Sequence, residues 1–458
     1  MLTQCKPLSF AFQGCQGRRV TAAFDGGSIT SNGGALLLRQ ADRSTGLFDR
    51  VAAGFTDHRD PRLTEHSVRT LVAQRIAGIA LGYDDLNDHD DLRRDPLLAL
   101  LSGKLEARRK GCAPLAGKST LSRLEHAPAG GKPSRYAKID HDPEKLQDVL
   151  VESFIDSWQG LPPSRLVVDI DSTDVAVHGS QEGRFYHGYY NHYCFLPLYI
   201  TCGGRPLFAQ LRPGNADPAG GVTGPLGRIV ARLRQEWPWL KILLRADSAY
   251  AREELMAWCK DNDVDYVIGL ARNSRLVERI VWLLDDAAAE AEKKGRPARR
   301  FTEFPYATLT SWSCKRRVVA KAEHLADKAN PRFVVTSLPA DTFSARTVYE
   351  RLYCARGNME NTIKEQQLDL FSDRTSATCF AANQLRLLFS AFASILFDAI
   401  RQALHGTPLA RATAGTLRLR LLKIGARVMV SVRRVKVAMD SAHPSAAAFA
   451  RVHARLPG

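Results

Sequence analysis

The chain has 458 residues, too many for one small domain, and its 45% hydrophobic and 24% charged content is ordinary for a folded protein. Its 64 lysines and arginines against 48 acids leave a formal net charge of +16, an excess that favours polyanionic partners, nucleic acid foremost. Nine scattered cysteines with no Cys-x-x-Cys pair exclude a disulfide scaffold and fit the reduced thiols of a cytosolic, cytoplasmic protein. No run of about 18 apolar residues predicts a membrane span, and Met1 to Lys6 lacks the pattern of a leader.

Taken in order, residues 1 to about 60 are Gly-rich, with Gly26-Gly27 and Gly33-Gly34 read as turns. Thr64 is placed to cap a helix running to about Leu81, with Val68, Leu71, Val72, Ile76, Ile79 and Ala80 as its apolar stripe. The acid-rich run Asp84 to Asp95 lacks the glycine and ligand order of a calcium loop and reads as a solvated connection. Pro96 then opens a helix through about Leu105. The glycines Gly111 and Gly117, before Lys118 and Ser119, miss the phosphate-loop spacing by one residue and follow no strand. Ser119 to Leu124 instead opens a short helix carrying Arg123. Residues 1–145 therefore read as a largely helical module suited to binding DNA, with a structural cap on the next domain as the plain alternative.

The core begins at Leu166 to Asp171, a short apolar strand buried on both faces and ending in carboxylates. Charge at the end of a buried strand is costly unless compensated, and divalent ions compensate carboxylates well. Strands follow at about Cys194 to Cys202 and Pro206 to Leu211, joined by the Gly203-Gly204 turn. A helix over Gly221 to Trp237 leads to a fourth strand, Lys241 to Asp247, which repeats the design of an apolar run ending in Asp. A helix over Ala251 to Asn262 and a fifth strand over Val264 to Ile268 complete the series. Residues 275–340 hold a charged helix and then β-rich text, in which Arg316 is a candidate phosphate contact. From Arg351 to Gln367 the polar residues Tyr353, Arg356, Glu360, Lys364 and Gln367 recur at steps of three or four, which places them on one helical face. Leu385 to Leu404 is an apolar helix, and residues 405–458 form a basic tail whose Arg433 and Arg434 could track a DNA backbone.

Asp171-Ser-Thr, Arg245-Ala-Asp247-Ser and Tyr353-x2-Arg356-x3-Glu360 resemble the three catalytic signatures of DDE transposases, closest to the cut-and-paste insertion-sequence group with a Tyr-Arg-Glu-Lys signature. The flanking segments from Val175 to Gln181 and from Tyr353 to Asn361 resemble one branch of that group. The resemblance implies Asp171, Asp247 and Glu360 as the catalytic and metal-binding triad, and Tyr353, Arg356 and Lys364 as DNA contacts. The signature Lys falls where this chain has Gln367, and Lys364, one turn earlier on the same face, is the candidate substitute.

It further implies an α/β, ribonuclease H-like mixed-sheet core over 146–274 and 341–404, interrupted by the β-rich insertion at 275–340. Two Mg2+ or Mn2+ ions per site, roughly 4 Å apart, would serve phosphodiester chemistry on double-stranded DNA. A hairpin on the excised end, a homodimer in the DNA complex, and a bacterial, nucleoid-associated location when bound are the remaining implications. Asp169 and Asp174 compete with Asp171, but the Asp-x-Thr spacing favours Asp171 and leaves Asp169 as a supporting group.

Tyrosine recombination lacks its nucleophile, because no tyrosine follows His453-x-Arg455. A ribonuclease H-like nuclease without strand transfer, or an inactive transposase-derived DNA-binding protein, stand as alternatives. A zinc site at His178, His187, His192 and Cys194 is possible by residue type, but Phe185, Tyr186, Tyr189, Tyr190 and Tyr193 among them fit a packing or base-stacking loop better.

Overall fold

The computed structural model describes residues 9–130, 134, 137–158, 160–325 and 328–456; Met1 to Lys6, read above for a leader, lie outside them. The chain divides into two compact units, one of Asp142–Ala391 and one of Met1–His141 together with Phe392–Gly458.

The unit Asp142–Ala391 is built on one eight-stranded sheet. Its strands are β1 (Arg165–Ser172), β2 (Leu198–Cys202), β3 (Arg205–Gln210), β4 (Lys241–Ala246), β5 (Val264–Leu270), β6 (Ala298–Tyr306), β7 (Arg316–His324) and β8 (Arg332–Thr336). Their order in the sheet is β3-β2-β1-β4-β5-β8-β7-β6. The pair β1–β4 and the pair β4–β5 are parallel, while β2 runs antiparallel to both β1 and β3. A 3-2-1-4-5 order with strand two reversed is the ribonuclease H-like core expected from the sequence. The β-rich text at 275–340 becomes β6, β7 and β8, which continue that sheet through antiparallel pairing of β5 with β8.

Alternation along the strands separates two chemistries. In β1 and β4 the residues Leu166, Val168, Ile170, Ile242, Leu244 and Ala246 point to one face, which packs against α1 (Pro143–Asp156), α2 (Thr223–Glu236) and α3 (Glu253–Asp261) in the larger core cluster. Asp142 starts α1 by accepting from the backbone N–H groups of Glu144 and Lys145, with Pro143 as its first residue. The opposite face carries Val167, Asp169, Leu243 and Arg245. A smaller cluster on that side holds Leu243, Val267, Val319, Val334, Val348 and Tyr349. Val348 and Tyr349 come from the helical run that brings Glu360, so the polar face of the sheet meets the third catalytic candidate.

The insertion also carries helix α4 (Val281–Lys294), and α5 (Gly357–Leu368) follows a π turn at Thr347–Tyr353 and a 3-10 turn at Cys354–Arg356. Gly357 opens α5 with no atom within 4 Å of the space its side chain would fill, so no neighbouring part of this chain accounts for it. The apolar α6 (Phe380–Ala403) is long and apolar enough to cross a membrane by length and composition, and 67% of its most apolar window is buried inside the protein, as in core helices.

In the other unit the expected helix runs over Val68–Leu81, and its cap is Ser67 rather than Thr64, with the Ser67 side chain accepting from Thr70 N–H. That helix is buried around nearly its whole circumference, and Arg75 on it makes a buried 2.6 Å ion pair with Glu125. The segment 405–458 was expected as a tail, and its described residues, 405–456, are folded into this unit. Ala426–Val430 pairs with Val435–Met439 and with Ile29–Thr30. Gly33 and Gly34 are more than turn residues, because they donate to Ile424 O (2.8 Å) and Leu422 O (3.1 Å). A Cβ on Gly34 would lie 1.8 Å from Leu421 O, so only glycine fits there.

Candidate active site

Parallel pairing of β1 with β4 sets Ile170 beside Ala246. The next residues are Asp171, one before the end of β1, and Asp247, the first past β4, so two carboxylates lie where these adjacent strands end. Like charges so placed repel. Asp171 is buried, and burial pushes its carboxyl up to about 6, with the Asp247 charge adding to the rise and Arg356 opposing it. Asp247 accepts from Ala249 N–H at 2.9 Å and so starts the turn Ser248–Tyr250.

Arg356 supplies the compensating charge. Its guanidinium donates to Asp171 Oδ2 at 2.8 Å and reaches Glu360 Oε1 at 3.4 Å. Glu360 lies one turn further on the same helical face, 55% exposed at the side chain, whereas Arg356 is 14% exposed. The spacing read from sequence thus brings Asp171, Arg356 and Glu360 together, with Asp247 beside Asp171.

Asp169 has a different task from Asp171. Its two oxygens take a bidentate pair of bonds from Arg245 at 2.7 and 2.8 Å, and Arg245 also donates to Leu352 O at 2.9 Å. One guanidinium therefore ties β1 and β4, two residues before their acids, to the helical run at Leu352 that leads to Glu360. The planar fork of Arg suits this bidentate geometry.

A second brace was not legible beforehand. Arg212, just past β3, is buried and donates to Ser172 Oγ at 2.7 Å, to Leu196 O, and to the carbonyls of Asp217 and Pro218. Ser172 Oγ in turn lies 2.5 Å from the Tyr250 hydroxyl. Arg212 and Tyr250 thereby fix the residue after Asp171. The available signal was an Arg directly after an apolar strand, too common to single out.

Tyr353 packs at a tilt against Tyr349, ring centres 5.7 Å apart. Its hydroxyl sits over Gly269, where a Cβ would lie 2.5 Å from Tyr353 Oη and 3.0 Å from Ser248 N. Gly269→Ala is expected to cost only about 1–3 kcal/mol in stability, yet to slow any reaction at these carboxylates about 100-fold by displacing Tyr353 and the turn after Asp247. Denaturant midpoints and turnover rates on one preparation check this; a rate within twofold of wild type would refute it.

The other candidates are dispersed. Lys364 is exposed on α5, and Gln367 donates to Asp174 O at 3.0 Å instead of facing outward as a free group. Arg123 is exposed on the helix Lys118–Glu125. Arg433 and Arg434 occupy the exposed turn between Ala426–Val430 and Val435–Met439. Arg316 calls for a correction. It is buried, takes both oxygens of Glu253 at 2.7 and 2.9 Å, and lies over Trp312, so its guanidinium is engaged inside the protein. His192 pairs with Asp174 at 2.8 Å. No zinc cluster forms with His187 and Cys194 among the described residues.

A family model described as transposase DDE domain group 1 matches residues 12–458, nearly the whole chain. The chain belongs to the DDE transposases. No curated protein matches it. Among solved structures, it is similar to the piggyBac transposase synaptic complex with hairpin DNA, seen by cryo-electron microscopy. That likeness has a TM-score of 0.43 and 12% identity over 84% of this chain and 79% of that one.

For a DDE transposase the question is whether the acids fit a metal. Among the described residues no three of His, Cys, Asp and Glu stand close enough to hold one. Asp171 and Glu360 converge instead on the cation of Arg356. The donors are all carboxylate oxygens, which suit hard divalent ions. In charge and donor type Asp171, Asp247 and Glu360 therefore suit such an ion.

Proposed function

We propose that this DDE transposase belongs to the group with the Tyr-Arg-Glu-Lys signature and moves an insertion sequence by cutting and pasting. It binds the inverted-repeat ends of the element, hydrolyses the phosphodiester next to them, and joins the freed 3′ ends to target DNA. The observation that carries the reading is the pairing of β1 with β4, which sets Asp171 beside Asp247, together with Arg356 bridging Asp171 to Glu360.

Asp171, Asp247 and Glu360 would hold two divalent ions, Mg2+ or Mn2+, which supply activation of the attacking oxygen and stabilisation of the leaving one. Tyr353 and Arg356 face the scissile phosphate. Arg356, released from Asp171, offers a forked donor to the phosphate oxygens. Lys364, exposed one turn beyond Glu360, contacts adjacent backbone in place of the signature Lys. Arg123, Arg433 and Arg434 add electrostatic contacts, consistent with the net charge of +16. A hairpin intermediate on the excised end, a homodimer that pairs two ends, and action in the bacterial cytoplasm on nucleoid DNA complete the proposal.

The test is a supercoiled plasmid carrying the element's own ends, incubated with protein and Mg2+. Wild type should excise the element. Asp171→Asn, Asp247→Asn and Glu360→Gln should each bind ends and release nothing. End binding by wild type without cleavage in Mg2+ or Mn2+ would replace this reading with that of a non-catalytic DNA-binding relative.

A further inference from the structure

The segment Phe185 to Phe195 reads Phe-Tyr-His-Gly-Tyr-Tyr-Asn-His-Tyr-Cys-Phe and contains no Asp, Glu, Lys or Arg. It forms a hairpin of Phe185–His187 against His192–Phe195, with Val175–Ala176 as a third strand. Aromatic side chains ordinarily bury their rings. Here Tyr189 is 86% exposed, Tyr186 54%, Tyr193 48% and Phe185 43%.

These rings are held in place. Tyr186 and Tyr193 are cross-strand partners with ring centres 5.6 Å apart, and the Arg184 guanidinium lies 4.8 Å over Tyr193. Tyr189 stands edge-on to Tyr190 at 5.0 Å, and Tyr190 rests against His187 at 4.8 Å. The Tyr186 hydroxyl donates to the Asn191 side chain, and Asn191 takes the left-handed conformation (φ 60°) that closes the turn. Beneath the hairpin, Gly214 is in close contact, since a Cβ there would lie 2.1 Å from Cys194 O.

The hairpin is also tied to the acids. His192 bonds Asp174, three residues past Asp171, and Gln367 of α5 bonds the Asp174 carbonyl. Burial raises the Tyr190 hydroxyl to about 12, and the charges of Asp174, Asp171 and Asp247 contribute, which fits a ring close to the carboxylates. A surface for duplex backbone needs cations, and this one has only Arg184 at its start. Exposed rings packed on one another next to the carboxylates match the π-faces of unpaired bases.

We propose that this hairpin, with Tyr189 foremost, is a stacking platform for unpaired bases of a DNA strand entering the carboxylate site. The proposal rests on the transposase reading for its ligand, and its test does not depend on cleavage. Fluorescence anisotropy would compare a labelled oligo-dT single strand with a blunt duplex of the same length, both without added metal. Tyr189→Ala should weaken single-strand binding about tenfold and leave duplex binding within twofold. Tyr189→Trp should restore it, because stacking needs the ring and not the hydroxyl. Single-strand binding unchanged in Tyr189→Ala, or absent from wild type, would overturn the platform. So would a Tyr189→Ala variant whose only change is a shift in sedimentation, which would assign the face to a second copy of this chain. Failure of plasmid excision with the single-strand result intact would count against the proposed reaction alone.

Discussion

Arg245→Ala is expected to lower the unfolding free energy by about 3–5 kcal/mol, because it leaves the Asp169 carboxylate buried without its partner. The pair is nearly sealed from solvent, with side-chain exposures of 11% for Arg245 and 6% for Asp169. The loss should extend to function. Arg245 also holds Leu352 O, so its removal frees the run leading to Glu360 as well as the two strand ends. A double variant, Asp169→Leu with Arg245→Met, separates the two effects. Replacing both charges by apolar groups of similar size is often neutral for stability. The double variant should therefore recover most of the urea midpoint, while excision stays at least ~100-fold below wild type for want of the Leu352 anchor. A cost below about 1 kcal/mol for Arg245→Ala, or full activity in the double variant, would show that the clip positions nothing.

Asp171→Asn is expected to give the opposite pairing of effects, with activity lost by a factor of about 1,000 or more and stability undiminished in metal-free buffer. In the folded chain the Asp171 carboxyl titrates near 6, above its unfolded value of about 4. The folded state therefore holds the proton more tightly. The stability from this group is fully present below about pH 4 and is lost as pH rises to about 6, a change on the order of 3 kcal/mol. Thermal unfolding of wild type in chelator should show that decline, and Asp171→Asn should flatten it. The same proton competes with a divalent ion, so metal affinity should tighten as pH rises through 6. A wild-type profile that rises between pH 4 and 6, with an identical profile for the variant, would contradict the assignment.

The core strands were legible because a buried strand leaves a continuous apolar run, and Leu166 to Val168 and Ile242 to Leu244 are such runs, with Asp171 and Asp247 each three residues beyond. The helical spacing of Arg356 and Glu360 was legible for the same reason, since one turn of helix is a local rule. Partnerships across the fold were not. Arg245 could be read as part of a motif but not as the bidentate partner of Asp169. Arg316 looked like a free surface charge because Glu253 lies far away in sequence. Arg212 and Tyr250 meet at Ser172 only after β1, β3 and the turn past β4 are brought together. The segment 405–458 read as a basic tail because its strands are short, and one of them pairs with Ile29–Thr30, near the other end of the chain.

The pairing of β8 onto β5 also bears on whether the insertion is a detachable module. Without β6, β7 and β8, the amide and carbonyl groups of Val267 to Leu270 would line an open flank of the sheet beside a bare apolar surface that includes Val267. Such a flank recruits strands from other molecules. The insertion thus guards solubility as much as it shapes the site. A shortened gene product lacking it would be a seed for aggregates before it could be a smaller enzyme.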